Sequence, residues 1–299
     1  MTHQFKFTLF GIIAILCWSA LLAVARLAME QLGPATGSAL IYTLATLLLG
    51  RVIGFPSLSK IKLNYLLCAG VLFVSYEILL ALSLGYADSR LQTVQVSIVN
   101  YLWPALTVWF ATFGQQKIKH PLVLYLALLT AFVGVALTLV TDIKQGLFSL
   151  VTSIESNPTV FIMVFSGALI WAVYCNFTKK HSDQPNLISY FFLFTALSLW
   201  IKVAFSDEPP LTFSALLNPM VLLSAILVAT GYGLWNVAIV KGNFMLLATL
   251  SYFTPISSAL LSSILLTTTL PAQFWPGVLL VTLGSLLCWK VTRTKKHTS

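Results

Sequence analysis

The 299-residue sequence predicts an all-α polytopic membrane protein, with ten transmembrane helices in two inverted five-helix repeats around a central cavity. Three observations predict it: an apolar composition, a one-sided distribution of basic residues, and a residue pattern that recurs in order in the second half. Apolar residues make up 58% of the chain and charged residues 8%, with a mean hydropathy of +0.92. Soluble domains carry about a quarter charged residues.

A hydrocarbon core about 30 Å thick takes about 20 apolar residues per helix. By that measure spans are expected near 7–25, 35–53, 64–84, 91–113, 121–141, 158–177, 186–204, 219–240, 245–267 and 273–290. The connections are short and polar or basic, as at 55–63 (FPSLSKIKL), 114–120 (GQQKIKH) and 178–186 (TKKHSDQPN), and none could hold a separate soluble domain. A β-barrel would alternate apolar and polar residues over about ten positions. The run 121–141 (PLVLYLALLTAFVGVALTLVT) is apolar on all sides, and in lipid only a helix satisfies the backbone of such a run. Ala23-Val24-Ala25 has the form of a signal-peptide cleavage site, but cleavage there would leave nine spans and break the repeat.

A formal net charge of +9 would suit a nucleic-acid partner, yet where the charges fall favours another cause. Ten spans put Lys6, Arg51, Lys60, Lys62, Lys117, Lys119, Lys179, Lys180, Lys241, Lys290, Arg293, Lys295 and Lys296 on one side of the membrane. Only Arg26, Arg90, Lys144 and Lys202 fall on the other, together with Glu30, Asp88, Asp142, Glu155, Asp207 and Glu208. Under the positive-inside rule both termini are then cytoplasmic, and the charge is a topology signal without nucleic acid. Cys17, Cys68, Cys175 and Cys288 fall in expected spans without CxxC spacing, and read as small buried hydrophobes. His3, His120, His181 and His297 sit in loops or tails, so neither a metal centre nor a cofactor is expected.

The repeat appears when the halves are laid side by side. AILCWSALLAVAR (14–26) carries Trp18 four residues after a small residue and Arg26 eight later; GALIWAVYCNFTK (167–179) gives Gly167, Trp171 and Lys179 at the same spacings. Tyr101 and Pro104 in the fourth span answer Tyr252 and Pro255 in the ninth, and Gly134 and Gly284 follow the prolines at nearly equal distance. The expected halves are residues 1–143 and 158–299. Five spans in each force the second half to enter the membrane from the opposite side. Such inverted repeats characterise secondary transporters, which bind solute near the midplane and work by alternating access.

These residues also carry a family resemblance. Trp18, Ser19 and Arg26 with the exit turn LAMEQLGP (27–34), and LLATLSYFTP (246–255), resemble the drug/metabolite transporter superfamily of EamA-like proteins. Within it, VNYLWP (99–104) and ALSLGYADSR (81–90) are similar to the aromatic amino-acid exporters of YddG type. Two features depart from the pattern. The stretch from Ala81 to Pro104 is six residues longer than that from Ala238 to Pro255, and Ile41 stands where many relatives have Arg. The resemblance implies export of aromatic and larger neutral amino acids across a bacterial inner membrane; the expected partners are the amino-acid solute and the lipid bilayer, with no nucleic acid, and a monomer is one possible state.

A proline within a helix removes one hydrogen bond and frees the carbonyl four residues back, here that of Asn100 or Ser251. Kinks are therefore expected at Pro104 and Pro255, as hinges facing the central path or as structural bends. Glu77 is the one charge well inside an expected span, and follows Tyr76. It could meet a solute ammonium, hold a proton, or be a hydrogen-bonded structural acid. Among the aromatics, Trp18 and Trp171 lie at matched positions away from the helix ends, beside small residues. The candidate binding residues are thus Trp18, Tyr76, Glu77, Asn100, Tyr101, Trp171 and Tyr252. An enzyme would need convergent catalytic groups, and an ATP-driven pump a GxxxxGK[ST] loop; the sequence offers neither. A channel-like facilitator and an exporter of lipophilic cations or other small metabolites remain the alternatives to an amino-acid carrier.

Overall fold

The computed structural model describes residues 3–111, 121–140, 142, 144–145, 147–181, 183–241, 247 and 250–292. Every regular element among them is helical: α1 (His3–Leu32), α2 (Pro34–Val52), a 3-10 turn (Leu58–Lys60), α3 (Leu63–Gly85), α4 (Arg90–Asn100), α5 (Trp103–Ala111), α6 (Pro121–Leu139), α7 (Leu147–Glu155), α8 (Pro158–Lys180), α9 (Ile188–Ala204), α10 (Phe213–Leu216), α11 (Pro219–Lys241), α12 (Thr254–Leu265) and α13 (Phe274–Thr292). Among the described residues six helical segments are long and apolar enough to cross a membrane, and the 188–204, 254–265 and 274–290 segments are shorter but apolar. Leu47, Val71, Leu122, Ile162, Ile201 and Ile264 point outward, while Ser19, Gln95, Asn100, Thr195 and Ser262 are buried. This reverses the soluble arrangement, because lipid accepts apolar side chains and rejects polar ones. The protein is a multi-pass membrane protein.

Two expected spans are interrupted at their prolines. α4 stops at Asn100, where Tyr101 N–H donates to the Ile98 carbonyl (3.1 Å) and Leu102 N–H to that of Val99 (3.1 Å), a tighter turn than the α-helix makes. α5 then opens at Trp103, with Pro104 its second residue. α12 likewise opens at Thr254 with Pro255 next, after a turn in which Phe253 N–H donates to the Leu250 carbonyl (3.0 Å). Proline has no N–H to lose and a φ already helical, so a first turn suits it better than a helix interior. The helical assignment is thus interrupted at each expected kink, and the Ser251 carbonyl accepts from Thr254 Oγ1 (2.6 Å). Residues 245–246 and 248–249 of the expected ninth span lie outside the described residues. The first helix also runs on past the expected residue 25 to Leu32, since Arg26 and Met29 remain buried against its neighbours.

The main pairings are α1 with α11, α3 with α8, α2 with α9, and α6 with α13. In the last pair the backbones touch. A Cβ on Gly134 would stand 2.6 Å from the Val281 nitrogen, one on Gly277 2.6 Å from the Gly134 carbonyl, and one on Gly284 2.6 Å from the Ala127 carbonyl. Lipid supplies no hydrophobic drive for helices to associate, so close approach through small residues carries the contact.

Charged groups gather at the helix ends. At one end of the bundle Arg26 donates to the Leu84 and Gly85 carbonyls (2.8 and 2.9 Å), the last two residues of α3, and to Glu30 (3.0 Å). Arg90 joins the same Glu30 (2.8 Å) to the Leu266 carbonyl after α12 (2.9 Å). Glu208 accepts from the Ala35 and Thr36 amides (2.8 and 2.7 Å) at the start of α2. These charges meet the unpaired carbonyls and amides that helix ends leave. Gly33 lets Glu208 in: its φ is 89°, and a Cβ there would sit 2.5 Å from the Glu208 carboxyl carbon. At the other end Lys62 pairs with Asp183 (2.8 Å), and its ammonium holds that carboxyl below the usual range.

Gly134→Ala or Gly284→Ala should lower the unfolding midpoint of the detergent-solubilised protein by an amount equivalent to about 1–3 kcal/mol, since the methyl meets backbone that cannot yield. Gly233→Ala, whose methyl would find its nearest neighbour at 3.8 Å, should leave the midpoint unchanged or higher in the same melting experiment.

Candidate functional site

The site grows from α3. Phe73, Tyr76 and Glu77 are three and four residues apart, and so share one face of that helix. Glu77 is 2% exposed. Its Oε2 accepts from the Tyr42 hydroxyl of α2 (2.5 Å) and its Oε1 from the Tyr232 hydroxyl of α11 (2.6 Å). A buried acid is costly unless its oxygens are bonded, and both of these are.

Aromatic rings enclose this centre. Trp171 of α8 lies 4.5 Å from Tyr76 and stacks at 4.8 Å on Tyr174, with Trp103 edge-on at 6.4 Å. Tyr232 stands edge-on to Phe73 (5.9 Å), Trp171 (6.3 Å) and Phe192 of α9 (5.3 Å). From α1, Trp18 approaches Tyr232 (5.6 Å) and Trp235 (5.2 Å). It fits because residue 231 is glycine, where a Cβ would fall 2.6 Å from the indole nitrogen. Centroid spacings and tilts of this kind are those that aromatic quadrupoles favour.

Polar capacity is left over inside the box. Asn100, 4% exposed at the end of α4, reaches the Tyr76 hydroxyl with its amide nitrogen at 3.5 Å. Among the described residues its Oδ1, like the Trp18 indole nitrogen, has no hydrogen-bond partner. Buried polar atoms are ordinarily paired, so the Asn100 Oδ1 is spare capacity for a polar guest, whereas the indole nitrogen is packed against Gly231. The surroundings can stack a planar or apolar body and offer one acceptor to its head group. No cluster of His, Cys, Asp and Glu that could hold a metal occurs among the described residues.

Of the residues expected from sequence, Tyr76, Glu77, Asn100 and Trp171 come together here, and Trp18 joins them through Tyr232. Tyr101 is buried in the turn between α4 and α5. Tyr252 stands apart, its ring 6.1 Å from that of Trp289 on α13. Pro104 and Pro255 mark the two breaks. Sequence reasoning passed over Tyr42, although a tyrosine in mid-span, away from the interfacial belt, is a signal that it must find a polar partner.

The model of the EamA-like transporter family matches residues 158–289. The aromatic amino acid exporter YddG of Escherichia coli (strain K12) is 43% identical over 294 residues, covering 98% of this chain and 99% of that protein. The protein of the same description from Salmonella typhimurium (strain 14028s / SGSC 2262) is 40% identical over 296 residues, covering 99% and 100%. A solved crystal structure superposes with a TM-score of 0.66 at 23% identity, over 97% of this chain and 99% of that one, and so shares the fold. With end-to-end identity at this level, the chain belongs to the EamA-like transporter family, beside the YddG exporters, and is a transporter rather than an enzyme.

Proposed function

We propose that this protein is a secondary transporter that exports aromatic and larger neutral amino acids from the cytoplasm by alternating access. The observation that carries the reading is the buried ring cluster of Trp171, Tyr76, Tyr232 and Trp18, with the unpartnered Asn100 Oδ1 at its edge. Aromatic faces stack on a ring and attract a cationic head, and an amide oxygen accepts from an ammonium. The printed description of both bacterial relatives, aromatic amino acid exporter, points the same way. In this reading Trp18, Tyr76, Asn100 and Trp171 line the path, and Tyr101 and Tyr252 flank it at the two breaks.

The architecture proposed is ten spans in two inverted repeats, 1–143 and 158–299, with α4 and α5 forming one broken span and the segment ending in α12 another. The packing supports it. Exchanging the halves turns the α1–α11 pair into α8–α3, and leaves α2–α9 and α6–α13 each paired with itself. The breaks before Pro104 and before Pro255 exchange in the same way. The predominance of Lys and Arg on one side supports an orientation with both termini in the cytoplasm, and the bacterial relatives support an inner-membrane location.

Counterflow into proteoliposomes tests the solute. Phe, Tyr, Trp and larger neutral amino acids should compete with labelled phenylalanine, and Glu and sugar phosphates should not. Trp171→Ala should raise half-saturation about tenfold, which is about 1.4 kcal/mol of lost binding. Competition by quaternary cations in place of amino acids would overturn the reading in favour of drug export.

Pro104→Ala and Pro255→Ala should each lower turnover by more than they lower membrane abundance, because a continuous helix replaces the break. Wild-type turnover in both variants would show that the breaks play no part in the cycle.

Topology is checked by reporter fusions after Lys119, Asp142 and Ser299. The first and last are expected to read cytoplasmic and the middle one not. A cytoplasmic signal at Asp142 would refute the ten-span arrangement.

A further inference from the structure

Glu77 has the burial expected of a solute-binding acid, but its carboxylate is already engaged. One oxygen holds the Tyr42 hydroxyl and the other the Tyr232 hydroxyl, so α2, α3 and α11 meet at a single side chain. The Tyr232 ring touches both Trp18 and Trp171, at 5.6 and 6.3 Å, and the Tyr42 ring lies 5.5 Å from Phe192. A tyrosine in an apolar box turns to whichever partner its hydroxyl can find, so the acceptor decides where the ring stands. We propose that Glu77 is a positioning residue: its carboxylate fixes the Tyr42 and Tyr232 rings that shape the aromatic box, and it does not itself contact the solute. This rests on the box being the solute site.

The chemistry separates this role from its rivals. Glutamine keeps a carbonyl to accept from one phenol and an NH2 to donate to the other, which turns from donor to acceptor. Leucine fills similar space with no polar atom. A carboxylate that received a solute ammonium, or carried a proton, would depend on its charge, and glutamine would then fail as badly as leucine.

The experiment measures KM and turnover for labelled phenylalanine and tryptophan in proteoliposomes at matched protein content. Glu77→Gln should stay within about threefold of wild type for both solutes, whereas Glu77→Leu and Tyr232→Phe should raise KM by about tenfold or more and change the ratio of the two KM values. Turnover at saturation should move less than KM in each case. If Glu77→Gln is as defective as Glu77→Leu, the charge is required and the proposal falls; if Glu77→Leu matches wild type, the bridge has no role.

Near-UV circular dichroism of the purified proteins gives a second readout that needs no solute, because it reports aromatic rings held in fixed surroundings. Glu77→Leu should lose that signal and Glu77→Gln should retain it, while equal spectra would overturn the positioning role. Failure of wild-type protein to transport either amino acid would instead reject the function proposed above, with the spectra still deciding the role of the bridge.

Discussion

Lipid offers a backbone no hydrogen-bond partner, so each membrane helix has to satisfy its own amides, and any interruption must be repaired on the spot. The two breaks follow that demand. Before Pro104 the chain tightens into 3-10-like bonds from Tyr101 and Leu102, and before Pro255 the Thr254 hydroxyl bonds the Ser251 carbonyl. The first break is buried at Tyr101 and Leu102 and the second leaves Phe253 exposed, and each starts a new helix whose second residue is a proline, with no amide to leave unpaired.

The same scarcity of partners explains where the charges went. Arg26 and Arg90 bond the carbonyls that end α3 and follow α12, and Glu208 bonds the amides that start α2. Charges on one end of the bundle therefore act as helix caps that tie separate segments together. Glu77 is the exception within the interior, and it is tolerated because two phenols meet its two oxygens. Without a hydrophobic effect to gather the helices, α6 and α13 are held by backbone contact through Gly134, Gly277 and Gly284.

The aromatic box combines these two solutions. Rings from α1, α3, α8, α9 and α11 supply apolar, polarisable surface, while Asn100 at the α4 break brings a polar atom to its edge. Such a lining differs from the lipid-facing surface by carrying unmet hydrogen-bond capacity at Asn100 Oδ1. A solute with a flat apolar body and one polar head complements both properties.

The membrane-spanning helices, the special character of Pro104 and Pro255, and the matched tryptophans Trp18 and Trp171 were legible in the sequence. Each is written in a local property: a window of about 20 apolar residues, a residue without an amide hydrogen, a bulky ring beside small neighbours. Asn100 and Glu77 stood out for the same reason, as polar residues inside apolar runs. What only the tertiary structure decided is who meets whom. Tyr42 lies 35 residues from Glu77 and Tyr232 lies 155 residues from it, and no periodicity within one helix links such positions. The sequence could mark Pro104 as disruptive but not show how the turn before it is bonded, with the Tyr101 and Leu102 amides donating to the Ile98 and Val99 carbonyls. Nor could it tell that Tyr252 turns toward Trp289 while Tyr76 turns toward Trp171, because the direction a ring takes is set by the neighbouring helix against which it packs.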